Sequence, residues 1–269
     1  MAHLDAPNPH RSRMPVLQIL TRFSPVLAVL MLAACGAPTS AVIAPPSEYG
    51  DVQDGEFFIK AVDANLLKDG HARTEVDYAG PEAPGTIVVD TFARRLYLVQ
   101  DGGRAMRYAI GVGREGLAFR GGGVIGRKSE WPSWQPTRNM IRTAPELYSV
   151  YAGGVAGGLD NPLGARALYL YRGGRDSYFR IHGTIDDRSI GRASSAGCIR
   201  LFNQDAIDLY DRVPTGSAVR VRSLDESVAA EGPYIDDANG NAVPDTPAAE
   251  AARAKLLAKR AKTEAVAQG

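Results

Sequence analysis

Residues 85–223 predict a mainly β domain with one clear helix. Three observations lead there. Short runs in which apolar and polar residues alternate recur through this stretch, the period of strands with one buried face. Glycine and proline clusters separate them, as turns between strands do. Apolar residues at helical spacing stand out at one place, Ala206, Ile207, Tyr210 and Val213.

The elements follow in order. Thr86-Ile-Val-Val-Asp reads as a strand, and Arg95-Leu-Tyr-Leu-Val as its hairpin partner across a turn at Thr91 to Arg94. Met106-Arg-Tyr-Ala-Ile-Gly-Val supplies a third strand. Gly111, Gly113, Gly116 and Gly121 to Gly123 then read as turns between short strands. They do not open a helix with the spacing of a dinucleotide fingerprint. Residues 126–164 carry Trp131, Trp134, Pro132, Pro136, Pro145 and the glycines from Gly153 to Gly158. A stretch this long with so little periodicity reads as a functional loop.

Tyr178-Phe-Arg-Ile-His alternates and delivers His182 to a strand end. Asn203 stands where an N-cap belongs. Asp205 and Asp208 follow near the positive end of the helix dipole. Pro214 stops the helix, and Ala218-Val-Arg-Val-Arg makes a last strand.

Charge is unevenly distributed. The whole chain of 269 residues has a formal net charge of +1. Residues 85–223 hold 20 Lys and Arg against 12 Asp and Glu, and 19 of those cations are Arg, the better fork for carboxylates. Either the domain meets carboxylate-rich partners or the genome prefers Arg codons. No nucleic-acid motif and no concentrated basic stripe is present, so nucleic acid is not an expected partner.

The flanks read differently. Arg11, Arg13 and Arg22 precede an apolar run from Pro25 to Ala34. That run is too short to span a bilayer and suits a signal-peptide core. Residues 1–34 are therefore expected to be a leader, with Met1 or Met14 as its start. The run ends Leu32-Ala33-Ala34-Cys35-Gly36, which resembles the lipobox of bacterial lipoproteins. This implies lipidation of Cys35, a membrane anchor and a periplasmic location. Residues 35–84, with Pro38, Pro45 and Pro46 near its start, read as a tether. Within it, residues 56–69 suit a short element packed on the domain, and His71 reads as a surface residue. Residues 224–269 read as accessory or disordered. Asp236 to Asn241 has the wrong glycine position for an EF-hand calcium loop.

The chemistry concentrates between His182 and Cys198. Cys198 is the only cysteine outside the leader and its boundary, sixteen residues after His182. A thiol with a histidine is the raw material for a nucleophile and its base. A zinc site is poorly supplied, because a chain without its leader holds His71, His182 and one free thiol. No metal and no cofactor is called for.

His182-Gly183-Thr184, then Ile190-Gly191-Arg192, then Ser195-Ala196-Gly197-Cys198-Ile199-Arg200 resembles the active-site signature of the L,D-transpeptidases, the YkuD catalytic domain. Asn161-Pro-Leu-Gly-Ala-Arg-Ala-Leu-Tyr-Leu matches a further stretch common in that family. Many members have His where this chain has Ala196, while the base and nucleophile positions are both occupied.

The resemblance implies a YkuD-type β-sandwich with a cleft-lining loop before the histidine, and peptidoglycan stem peptides as substrate. Cys198 would be the nucleophile and His182 its base, leaving an ion pair. The Gly183 carbonyl would orient the imidazole. Backbone N–H groups near Gly197 and Cys198 would hold the oxyanion.

Arg200 either holds a stem carboxylate or braces the loop. Ser195 orients the loop on the substrate side. Trp131 and Trp134 either line the cleft or pack beneath the loop. The acceptor stays open among a second stem, a lysine of an outer-membrane protein, a free D-amino acid and water. An L,D-carboxypeptidase and a non-catalytic wall-binding lipoprotein are the alternatives. Papain-like and NlpC/P60 peptidases place Cys before His, the reverse of this chain.

Overall fold

The computed structural model describes residues 46–113, 121–194 and 199–267. The expected leader and Cys35 lie outside them.

The chain is packed from its first described residues. A 3-10 turn at Ser47–Tyr49 is followed by the hairpin β1 (Val52–Asp54) and β2 (Phe57–Ile59), a second 3-10 turn at Ala64–Leu67, and β3 (Thr74–Asp77). Tyr49 is fully buried in a cluster with Val62, Leu67, Ala109, Ile190 and Phe202. The tether reading therefore fails for residues 46–84. Isolated aromatics among polar residues give no periodic signal, yet here they supply the apolar anchors.

Next come β4 (Ile87–Asp90), β5 (Arg95–Gln100) and β6 (Arg104–Ala109). β4 and β5 are antiparallel with Ile87 opposite Leu98, as the hairpin pattern predicts. Arg94 turns the corner at φ 54°, a region non-glycine residues seldom enter. The strand expected over residues 106–112 is divided at Ile110. Beyond it, β7 (Gly111–Gly113) leaves β5 and joins other partners.

β8 (Gly121–Glu130) begins with the three glycines expected to form turns. A loop with short helices α1 (Arg138–Thr143) and α2 (Pro145–Tyr148) leads to β9 (Arg166–Arg172) and β10 (Arg175–His182). β11 (Ala193–Ser194) and β12 (Ile199–Arg200) follow, then α3 (Asn203–Arg212) and β13 (Ala218–Val221).

Eleven strands form one mixed sheet in the order β11-β7-β12-β10-β9-β8-β13-β4-β5-β6-β3. Ile87, Leu96 and Tyr108 share one buried cluster with Leu168, Ile181 and Ile199. The two halves of the sheet thus face a common core, which Ala206 and Leu209 of α3 help to fill. Apolar residues spaced along one face of a helix are what such a core requires.

Residues 224–267 are ordered, contrary to the disordered alternative. α4 (Leu224–Glu231) opens on a capping box between Ser223 and Glu226, which satisfies two terminal N–H groups. Ser227 donates to the buried Asp90 carboxylate at 2.8 Å. A hairpin of β14 (Tyr234–Asp236) and β15 (Ala242–Pro244) follows, then the exposed helix α5 (Pro247–Ala267).

Candidate active site

His182 is the last residue of β10, and two neighbouring strands frame it. Ala167 of β9 lies opposite it on one side. On the other, β12 runs parallel, with Ile181 beside Ile199 and His182 beside Arg200. The imidazole is 4% exposed. Its Nδ1 lies 2.7 Å from the Gly183 carbonyl oxygen. A proton on Nδ1 donates to that oxygen and leaves Nε2 as the basic nitrogen.

Burial pushes the His182 pKa down to about 4, and the Arg200 and Arg180 guanidinium groups push the same way. The Gly183 carbonyl pulls in the opposite direction without reversing the shift. Among the described groups the balance favours a neutral ring at neutral pH.

Two asparagines lock the segments around this ring. Asn203 Oδ1 accepts from the Ala165 N–H at 2.9 Å and the Thr184 N–H at 3.3 Å, and its Nδ2 donates to the Thr184 carbonyl at 2.8 Å. It is the first residue of α3, after Phe202 at the N-cap position, and makes no capping bond. The sequence expectation of a cap is corrected here: the side chain serves the strand end of His182 instead. A Cβ on Gly183 would collide with Asn203 Oδ1, so this clamp needs the glycine. Asn161 is fully buried, donating to the carbonyls of Pro132, Val155 and Ala156 and accepting from the Leu163 N–H. It fastens the long loop over the sheet. The Asn-Pro-Leu-Gly run held a signal for this residue, but nothing local distinguished its role.

His182 opens onto a cavity of about 370 Å³ walled by Trp134, Met140, Tyr169, Tyr178 and Arg180 among others. The loop between β8 and β9 does line the cleft, and Trp134 contributes to it. Trp131 goes elsewhere. Its ring packs on Phe57 with centroids 4.1 Å apart, and its Nε1 donates to Asp54 at 2.8 Å. Asp54 also receives a two-pronged bond from Arg166. Trp131 thus fastens the β1–β2 hairpin, the packing alternative rather than a place in the cleft wall.

A Cβ added at Gly111 would lie 3.3 Å from Arg200 Nε. This places the side chain across the β12–β7 pair, where it adds positive charge beside His182. Ser195, Gly197 and Cys198 lie outside the described residues. The structure does place the residue bonded to Cys198: Ile199, fully buried, is the strand neighbour of Ile181.

The other end of the same loop is held by the C-terminal hairpin. The Ala193 N–H donates to the Gly240 carbonyl, and the Ala242 N–H to the Gly191 carbonyl. Arg192 Nε donates to Asn241 Oδ1 at 2.8 Å. Asp237 shapes the hairpin turn by accepting from the N–H groups of Asn239 and Asn241. Beneath Gly191 lies His71, half-buried rather than on the surface, its Nδ1 3.0 Å from the Leu66 carbonyl. Among the described residues no cluster of His, Cys, Asp and Glu is suited to hold a metal.

A buried, carbonyl-oriented histidine thus stands at a strand end, faces a cleft and adjoins the strand that follows Cys198 in the sequence. The model of the L,D-transpeptidase catalytic domain, YkuD, matches residues 84–221. The chain belongs to this family.

A putative L,D-transpeptidase of Fuscovulum blasticum, from the ATP synthase subunits region, is 40% identical over 137 residues, covering 50% of this chain and 68% of that one. The probable L,D-transpeptidase ErfK/SrfK of Escherichia coli K12 is 37% identical over 145 residues, covering 53% of this chain and 44% of that one. The chain thus spans under half of the second relative's length. A solved structure from Brucella melitensis, described as a probable carnitine operon oxidoreductase, is 46% identical, covers 56% of this chain and 93% of that one, and superposes with a TM-score of 0.41.

Proposed function

We propose that this protein is a peptidoglycan L,D-transpeptidase in which Cys198 is the nucleophile and His182 its general base. The observation that supports this most is the placement of His182. Its Nδ1 is held on Gly183, it faces a cleft, and its strand adjoins the one that begins at Ile199. The Cys198 sulfur attacks the L-centre carbonyl of the third residue of a tetrapeptide stem. The thiol proton passes to His182 Nε2, and the C–N bond to the terminal D-Ala breaks. The imidazolium returns its proton to the departing amine. An acceptor amine then attacks the thioester, giving a new amide and freeing the thiol.

A free thiol titrates near 8.5, and the buried ring with Arg200 and Arg180 nearby disfavours a standing imidazolium. Transfer of the thiol proton to His182 supplies the thiolate and leaves it paired with the imidazolium, each charge stabilising the other. Backbone N–H groups at Gly197 and Cys198 serve the oxyanion, at about 3 kcal/mol per donor. The role of Cys35 as a lipid anchor that holds a periplasmic protein to a membrane belongs to the same proposal. So does the choice of acceptor, a second stem or a protein lysine.

Intact-protein mass spectrometry tests the assignment of the nucleophile. Incubation with a carbapenem is expected to add one drug mass, and peptide mapping to place it on Cys198. An adduct on another residue, or none, would sink the assignment.

A further inference from the structure

The sheet face that carries His182 also carries a row of three side chains across β8, β9 and β10. Tyr169 lies opposite Arg127 on one side and opposite Arg180 on the other. Residues two apart on a strand share a face and stand roughly 7 Å apart. Arg180 therefore shares the face of His182, and the row sits one step from the imidazole. All four residues line the same cavity.

The two guanidinium groups bracket the tyrosine ring. Arg127 lies 3.4 Å and Arg180 4.2 Å from its centroid. Each gains a cation–π contact, but two like charges on one ring repel. Asp176 compensates Arg180 with a two-pronged pair at 2.7 Å and 2.8 Å. Arg127 is solvent-exposed, and the described residues give it no carboxylate partner. Among the described residues, no Asp or Glu lines the cavity.

The position of Arg127 is built into the strand. The β8–β9 register shifts between Ile125 and Arg127, and a bulge re-aims the side chain that follows it. At the bulge, Gly126 lies under the Tyr171 ring, where a Cβ would collide.

We propose that Arg127, stacked on Tyr169, is the specificity-determining anchor for a carboxylate of the peptide bound beside His182. This rests on the reading of the cavity as the stem-peptide site. A flat guanidinium with one face on a ring keeps its N–H fork free in its own plane, above the ring. That fork matches a carboxylate better than an ammonium does. A stem can offer either its terminal carboxylate or a side-chain carboxylate, and both have the chemistry Arg127 would hold.

The full chain, its Arg127→Gln variant and its Arg127→Lys variant would be titrated with a tetrapeptide stem by tryptophan fluorescence, since Trp134 lies in the cavity wall. The stem would be used as the free acid, as the terminal amide and as the side-chain amide. Loss of one charge-assisted hydrogen-bonded contact is expected to weaken free-acid binding about tenfold in Arg127→Gln, with partial recovery in Arg127→Lys. One amide should already bind that weakly to the wild type and lose nothing more in the variant. That amide identifies which carboxylate is held.

Equal weakening of all three peptides, no weakening of any, or no binding to the wild type would overturn the inference. Release of D-Ala in the same samples separates the two claims. Turnover without the Arg127-dependent pattern sinks the anchor alone. The pattern without turnover sinks the transpeptidase reading and leaves the anchor standing.

Discussion

His182 and His71 each hold Nδ1 against a backbone carbonyl, 2.7 Å from Gly183 and 3.0 Å from Leu66. Burial is the largest cause of a lowered pKa in both. Both lie against the loop that joins β10 to β12, one where it begins and the other beneath Gly191. Their surroundings differ. His182 ends a central strand, adjoins β12 and faces a cleft that, among the described residues, is lined by two arginines and no acid. His71 sits among Asp69, Arg95, Arg188, Arg192 and Asp237, where charges of both signs already meet. An oriented, neutral imidazole is therefore not enough to mark a base. What distinguishes His182 is the strand pairing that sets it beside the segment following Cys198.

The largest test of that contrast is a pair of substitutions read by turnover of a tetrapeptide stem. His182→Ala is expected to lower kcat/KM by about 10²–10⁴-fold, the usual worth of a general base. His71→Ala should act through stability, at about 1 kcal/mol, with kcat/KM kept within a few-fold. Equal losses would erase the distinction between the two rings.

pH comes second. His182 titrates near 6.5 in an unfolded chain and near 4 when folded. Between those values the unfolded chain binds more protons at this ring, so the ring's own contribution to stability is lost as pH drops from about 6.5 toward 4. The full effect is on the order of 3 kcal/mol. Denaturant midpoints measured across that window should slope less steeply in His182→Asn. An unchanged slope would mean that the ring is not the group responsible.

The Asn203 clamp sharpens the contrast at the next level. Asn203→Ala leaves the Ala165 and Thr184 N–H groups without that acceptor. It should cost about 1–3 kcal/mol and lower kcat more than a His71 variant of equal stability. Parity between the two in kcat would make Asn203 a purely structural residue.

The smallest expected effect is at the far end of the loop. Asn241→Ala removes the bond to Arg192. It should lower stability by about 1 kcal/mol and kcat modestly, detectable by the same assay. A gain in kcat would show that the hairpin restrains the loop instead of supporting it.

Local pattern carried much of this architecture. The β4–β5 hairpin, the strand ending at His182, and α3 were legible because each has its own period and its own turn or breaker residues. The residues that hold the site were less so. Asn203 looked like a cap because it precedes a helical pattern. Its actual partners, Ala165 and Thr184, are brought to it by the sheet. Tyr49 lies in a three-residue turn with no period to read, yet it is fully buried. Trp131 and Trp134 are three residues apart and part company because Trp131 takes a left-handed φ of 38°, turning its ring onto Phe57. Arg127 was one of many arginines until strand register set it against Tyr169.

Product analysis tests the central claim most directly. The protein and its Cys198→Ala variant would be incubated with a purified disaccharide-tetrapeptide, and the products weighed. A dimer lacking one D-Ala, present with the wild type and absent with the variant, is the predicted result and establishes a 3→3 transpeptidase. A tripeptide monomer alone would point to an L,D-carboxypeptidase. The same products from both proteins, or none from either, would contradict Cys198-dependent acyl transfer.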